Sequence, residues 1–115
     1  MDLGRKQKIF PGLVAKLIQW ANANEFELTF GEAWRTPEQA ALNAKAGIGI
    51  RSSLHIHRIA IDLNAFRQGR YLTKSEEYEP LGVFWESLST TEYTCFWGGR
   101  FQDGNHFSVG HQGLK

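Results

Sequence analysis

Four histidines stand at positions 55, 57, 106 and 111, and two of them lie near an aspartate in a way that suits a metal ion. His55 and Asp62 are seven residues apart. With His55 ending a loop and Asp62 mid-strand with its side chain inward, the chain can fold back and bring both to one point, which helical spacing does not allow. Zinc accepts imidazole and carboxylate ligands alike, and three protein ligands with one position left open is the pattern of a catalytic zinc site. His106, after a turn, is the candidate third ligand. Asp103 stands three residues earlier, across Gly104-Asn105, where its carboxylate can lean over the metal and take a proton from bound water as general base. A metal lowers the pKa of such a water toward neutrality, so the pair would deliver hydroxide to a carbonyl carbon at ordinary pH. The resulting oxyanion needs a fixed cation, for which Arg35 is the first candidate and Arg51 the reserve.

Positioning these side chains falls to short elements that the hydrophobic pattern marks out. Phe10, Leu13, Val14, Leu17, Ile18 and Trp20 recur at helical spacing, predicting a core-facing helix over residues 10–20 with Pro11 in its first turn. Phe26, Leu28 and Phe30 alternate with Glu27 and Thr29, the period of a half-buried strand, and that strand runs toward Trp34 and Arg35. Thr36-Pro37-Glu38-Gln39 has capping-box spacing, with Gln39 as the partner of Thr36, and opens an Ala-rich helix to about residue 46. Residues 47–53 follow neither period and read as a loop. Ile59, Ile61 and Leu63 then alternate with Ala60, Asp62 and Asn64 as a strand, and Gln68-Gly69 marks a hairpin turn. A helix from Thr73 or Ser75 turns Leu81, Phe84, Trp85 and Leu88 inward. Residues 93–97 form a strand broken by Gly98-Gly99, Asp103-Gly104-Asn105 a tight turn, and residues 106–109 the last strand. The expected class is α+β, with about three helices against a small antiparallel sheet.

The 115 residues, 42% of them hydrophobic, suffice for one core, so a single domain over 1–115 is expected, with flexible ends at 1–8 and 110–115. Thirteen basic residues against twelve acidic ones leave a net charge of +1, which excludes the strongly basic balance of a nucleic-acid binder. The lone cysteine, Cys95, excludes an intramolecular disulfide and sits in an apolar run as a buried thiol, so a bound metal is the expected staple of so small a domain. The charged N-terminus is not followed by an apolar h-region, and no stretch reaches the roughly 20 apolar residues of a membrane span. Neither a signal peptide nor a transmembrane segment is expected, and the chain is read as a monomer. The tryptophans at 20, 34, 85 and 97 read as core, Trp34 excepted.

Ser53-Leu54-His55-Ile56-His57-Arg58-Ile59-Ala60-Ile61-Asp62 resembles the Ser-x-His-x-x-Gly-x-Ala-x-Asp signature of the zinc D-alanyl-D-alanine peptidase family. That family includes VanY-like carboxypeptidases and phage endolysins that cleave L-alanyl-D-glutamate bonds. Asp103-Gly104-Asn105-His106 is similar to the family's second motif, Asp/Glu-x-x-His, and Trp34 to Gln39 supplies an upstream Arg-plus-Gln element. The resemblance spans residues 9–109. It implies the zinc fold shared by these peptidases and the Hedgehog signalling domain, with Zn2+ on His55, Asp62 and His106 and Asp103 as base. It further implies that Arg35 binds substrate or steadies the tetrahedral intermediate, and that Ser53 and Gln39 contact substrate. The function so implied is a peptidoglycan endopeptidase of phage or prophage endolysin type, cutting the stem peptide, made in the host cytoplasm and released through a holin-type pore. A D-alanyl-D-alanine carboxypeptidase or dipeptidase, and a non-catalytic zinc-containing binding module, are the alternatives. One departure is plain: the motif's glycine is Arg58 here, so either the loop takes another path or Arg58 tolerates the turn with its side chain toward substrate. His57, five residues from Asp62, falls outside the ligand register.

Overall fold

The computed structural model describes residues 1–47 and 53–115, so Arg51 and most of the loop expected before Ser53 lie outside the described residues. Asp2 caps the first helix, its carboxylate accepting the Arg5 N–H at 2.8 Å, and α1 runs over Leu3–Ala23. Pro11 is therefore interior to the helix rather than in its first turn. The longer helix has a local cause. Beyond the Asp2 cap, Lys6 is buried and its Nζ donates to the Gly110 carbonyl at 2.7 Å, tying the first turns to the far end of the chain. Residues 3–8 are thus helix where a flexible end is expected, and at the other end His111 and Leu114 close a small antiparallel bridge.

β1 (Phe26–Phe30) follows, and then α2 (Pro37–Lys45), opened by the Thr36 hydroxyl accepting the Gln39 N–H at 3.0 Å. The Gln39 side chain does not return to Thr36; it donates to Asn43 Oδ1 at 2.7 Å, so the capping box is one-sided. β2 (Ala60–Arg67) and β3 (Arg70–Tyr71) form a hairpin about Gln68-Gly69, both of which take positive φ. A 3-10 turn over Ser75–Tyr78 leads into α3 (Glu79–Ser87). β4 (Cys95–Trp97), a second 3-10 turn over Gly98–Phe101 and β5 (His106–Val109) complete the chain. The strands pair antiparallel in the order β1-β2-β5-β4, with β3 also on β2. Three helices with a small antiparallel sheet is the α+β architecture the sequence predicts.

β2 divides the molecule into two faces. Ile61, Leu63 and Ala65 are buried, while the alternate residues Asp62, Asn64 and Phe66 are only half-buried. The first face meets a core built from Leu17 of α1, Phe26 of β1, Leu81 and Trp85 of α3 and Phe107 of β5. The Trp85 ring stands edge-on to Phe10 and Phe107, with centroids 5.9 and 6.0 Å apart. Burying each such side chain contributes about 1.5–3 kcal/mol, which anchors β2 and leaves its other face free to carry polar groups. Phe30 departs from the expected inward pattern of β1, being 71% exposed at the strand's end. Among the described residues no helix is long and apolar enough to cross a membrane.

Candidate metal centre

The register of β2 against β5 sets two of the candidate ligands. Asp62 and His106 are direct partners in that antiparallel pair, and opposed residues project from the same face. Asp62 Oδ1 accordingly lies 3.5 Å from His106 Nδ1. His55 arrives from a tight turn over residues 54–58, closed by the Ile56 N–H on Ser53 O and the His57 N–H on Leu54 O, both at 3.1 Å. Its Nε2 lies 3.2 Å from the same Asp62 oxygen, and the two imidazoles stand 5.2 Å apart, ring to ring. The three ligand atoms fall within 4.8 Å of one another.

These residues could hold a metal ion that takes imidazole and carboxylate ligands, as zinc does. A tetrahedral ion bound at about 2.0–2.1 Å places neighbouring donor atoms roughly 3.3 Å apart, and the two Asp62–histidine separations of 3.2 and 3.5 Å bracket that spacing. Asp62 Oδ1 is buried without a hydrogen-bond partner, an arrangement that costs about 1–3 kcal/mol unless something satisfies the oxygen. A cation between Asp62 and the two imidazole nitrogens supplies that partner. Burial alone would push the Asp62 carboxyl up, but contact with His106 and His55 and the attraction of their charges outweigh it and hold the group at about 2.

Asp103 reaches the same point from the turn before β5. Its N–H donates to Gly98 O at 2.9 Å and its carbonyl accepts the His106 N–H at 3.1 Å, which sets its carboxylate Oδ2 3.9 Å from His106 Nδ1. Glycine at 98 is required by this packing: a Cβ there would lie 2.2 Å from Asp103 O and 2.7 Å from His106 Cβ. The Asp103 side chain is 54% exposed, so it is open to solvent. Burial of the rest pushes its carboxyl above the ordinary value, against the pull of His106 and with the help of the Asp62 charge. Two neighbouring carboxyl groups are thus shifted in opposite directions, Asp62 down by its histidine contacts and Asp103 up by burial.

Arg35 lies beyond the end of β1 in the connecting loop, its N–H donating to His55 O at 3.4 Å. Its guanidinium grips Glu32 Oε1 through Nε at 2.6 Å and Nη2 at 2.5 Å, and its charge is close enough to act on Asp103. Glu32 is the residue that sequence reasoning missed. The same carboxylate oxygen is 3.8 Å from His55 Nδ1, a juxtaposition with no sequence signal, since a Glu three residues before an Arg reads as an ordinary ion pair.

The remaining candidates fall elsewhere. Ser53 is buried with its hydroxyl accepting the His55 N–H at 3.1 Å, so it shapes the turn that delivers His55. Gln39 bonds Asn43 on the exposed side of α2, and among the described residues no hydrogen bond joins it to the His-Asp-His group. His57 is half-buried beside His111, with ring centroids 6.3 Å apart, outside the ligand set as its spacing predicts. Arg58 adopts the turn of the motif glycine, with φ of 62°. Its guanidinium sits 4.5 Å over the Trp34 ring and lines an apolar hollow with Phe10, Phe30 and Ile61. Because Ile61 and Asp62 project from opposite faces of β2, Arg58 is turned away from the metal group rather than toward substrate. Trp34, half-exposed, donates its Nε1–H to Ile56 O at 3.1 Å and braces the turn from outside.

No protein-family model and no curated protein matches the sequence. Among solved structures, the chain is similar to the crystal structure of the Serratia marcescens L-Ala D-Glu endopeptidase ChiX. The TM-score is 0.66, with 87% of this chain and 79% of that chain covered at 22% sequence identity. The likeness is one of fold, and it agrees with the three-helix, antiparallel-sheet arrangement described above.

Proposed function

We propose that this chain is a zinc-dependent peptidoglycan hydrolase that cleaves the stem peptide at the L-alanyl-D-glutamate bond. The observation that carries the reading is the single oxygen of Asp62 held against His55 Nε2 and His106 Nδ1, with the Asp103 carboxylate over the same histidine nitrogen. The activity of the structural neighbour, an L-Ala D-Glu endopeptidase, and the two motif resemblances support the choice of bond.

His55, Asp62 and His106 would hold the ion, with the Asp103 carboxylate beside His106 and the charge of Arg35 within reach of Asp103. Zinc, when bound, supplies Lewis acidity to the scissile carbonyl and to the attacking water. Asp103 accepts the proton of that water as its oxygen bonds to the carbonyl carbon and the carbonyl electron pair moves onto oxygen. Arg35 keeps guanidinium donors beyond the two spent on Glu32, and they stabilise the negative charge that develops there. As the C–N bond breaks, Asp103 passes its proton to the departing amine. The products are a carboxylate on L-alanine and a free amine on D-glutamate.

The test is digestion of purified peptidoglycan, with new termini identified by mass spectrometry and the metal content measured on the same preparation. About one zinc per chain and chelator-sensitive release of free glutamate amines are expected. Released D-alanine with no new glutamate amine would sink the endopeptidase assignment in favour of a carboxypeptidase. A protein that takes up no zinc under supplementation would remove the metal site, and a zinc-loaded protein with no hydrolysis would favour the binding-module alternative.

A further inference from the structure

We propose that Glu32 is a positioning residue of this centre, its one carboxylate oxygen receiving both the Nδ1–H of His55 and the guanidinium of Arg35. The inference rests on the metal-binding reading above and assigns a role to a residue outside the ligand set and the base. A neutral imidazole carries one N–H and one lone pair. His55 turns Nε2 toward Asp62, so the lone pair that binds a cation belongs to Nε2 and the proton to Nδ1. That Nδ1 is buried and lacks a hydrogen-bond partner, while Glu32 Oε1 stands 3.8 Å from it. A movement of about 1 Å closes this gap to a hydrogen bond, and such contacts commonly tighten when a site is loaded.

The backbone supports the same assignment. The Gly31 N–H donates to Asp62 O at 2.7 Å, the Asp62 N–H donates to Glu32 O at 2.8 Å, and the Arg35 N–H donates to His55 O. Residues 31–35 therefore clamp the main chain of two ligands while the Glu32 side chain reaches one of them directly. The approach is close: a Cβ on Gly31 would stand 3.0 Å from Asp62 Cβ and from Asp62 O. Carboxylates that accept the distal N–H of a metal-bound histidine fix its tautomer and ring orientation, and their loss weakens metal affinity by about 10–100-fold. Here the same oxygen also holds Arg35, so ligand geometry and the oxyanion-stabilising cation are set by one group.

The experiment measures zinc affinity of the full chain by competition with a chromophoric chelator, for wild type, Glu32→Ala, Glu32→Gln, Glu32→Asp and Arg35→Ala. It is paired with the NMR signal of the His55 Nδ1 proton in the zinc-loaded proteins. Glu32→Ala is expected to bind zinc about 10–100-fold more weakly and to lose the slowly exchanging Nδ1 proton. Glu32→Asp should recover part of both. Glu32→Gln keeps the shape and an acceptor, falls between, and carries the test if the alanine variant does not fold. Arg35→Ala should stay within about threefold of wild type, because Glu32 remains to receive His55. Wild-type zinc affinity in both Glu32→Ala and Glu32→Gln, or an equal loss in Arg35→Ala, would overturn the role and reduce Glu32 to a loop ion pair. A wild-type chain that takes up no zinc would instead overturn the metal reading itself, which is a different result.

Discussion

Buried polar groups are treated in opposite ways in the core and at the candidate metal centre. In the core, the Tyr78 hydroxyl accepts the Ala65 N–H and donates to Leu72 O, both at 3.0 Å, and Trp85 Nε1 donates to Ser108 O at 3.0 Å. At the centre, Asp62 Oδ1, His55 Nδ1 and His106 Nε2 are all buried without a partner. Only one other side-chain atom among the described residues shares that condition, the Ser108 hydroxyl. Since each unpaired buried polar atom costs about 1–3 kcal/mol, the candidate centre is less well satisfied than the core; a bound cation would satisfy Asp62 Oδ1, whereas His55 Nδ1 and His106 Nε2 are the ring nitrogens not turned toward that oxygen. The core and the candidate site therefore lie on the two faces of one strand, with Leu63 and Ala65 on the first and Asp62 on the second.

The sharpest way to pull the two regions apart is Asp103→Asn. On the mechanism proposed above, this variant loses the general base and its kcat should fall by about 10²–10⁴-fold, which steady-state hydrolysis of a stem-peptide substrate measures. The fold should not suffer. The Asp103 pKa is raised in the folded, metal-free protein above the ordinary 3.8, by burial first, opposed by His106 and aided by Asp62. A carboxyl with a raised folded pKa contributes stability that is complete below its unfolded pKa and lost as pH rises through the folded value. At neutral pH its charge therefore works against folding, and metal-free Asp103→Asn should be at least as stable as wild type in denaturant melts. Carbon-detected NMR titration checks the cause directly: the Asp103 carboxyl should titrate above 3.8 without metal and move down when zinc is loaded. Titration below 3.8 in the metal-free protein would contradict the assignment.

The converse substitution belongs to the core. Tyr78→Phe keeps the ring but strips the hydroxyl, leaving the Ala65 N–H and Leu72 carbonyl unpaired in an apolar environment, at a cost of about 1–3 kcal/mol by urea denaturation. Its kcat/KM and zinc affinity should match wild type at temperatures where it is folded. A change in zinc affinity beyond about threefold would show that the two regions are energetically continuous.

How far this division is legible in the sequence depends on the range of the interactions. The period-2 pattern about Ile61 and the turn residues Gly104 and Asn105 mark the strands, so Asp62 and His106 can be placed on strands without coordinates. Their pairing is a matter of register, and no local pattern states that Asp62 faces His106. The start of α1 carries no local signal because residues 2–8 are mostly charged or polar and lack an apolar stripe; Lys6 is buried and bonds to Gly110, at the opposite end of the chain. Glu32 was invisible for a similar reason, since its relation to His55 exists only once the loop after β1 is clamped to β2. By contrast, the thiol of Cys95 is read correctly from its apolar neighbours: it is buried, and burial pushes its pKa up to about 11, as suits an inert core residue.

Arg58 tests the boundary between the regions with the smallest effect. Its φ of 62° places a bulky L-residue in the left-handed region, at a cost of about 1 kcal/mol relative to glycine, and the stacking of its guanidinium on Trp34 returns about 0.5–1 kcal/mol. Two variants separate these terms. Arg58→Ala keeps the strained backbone and loses the stacking, so it should be the less stable, while Arg58→Gly loses the stacking but relieves the strain, offset in part by the greater freedom of glycine in the unfolded chain. Arg58→Gly should therefore exceed Arg58→Ala by several tenths to about 1 kcal/mol in thermal or urea melts. Because the side chain points to the Ile61 side of β2, both variants should retain wild-type zinc affinity. An Arg58→Ala protein as stable as Arg58→Gly would mean that the turn relaxes away from positive φ, and the delivery of His55 would then depend on Ser53 and the clamp at residues 31–35 alone.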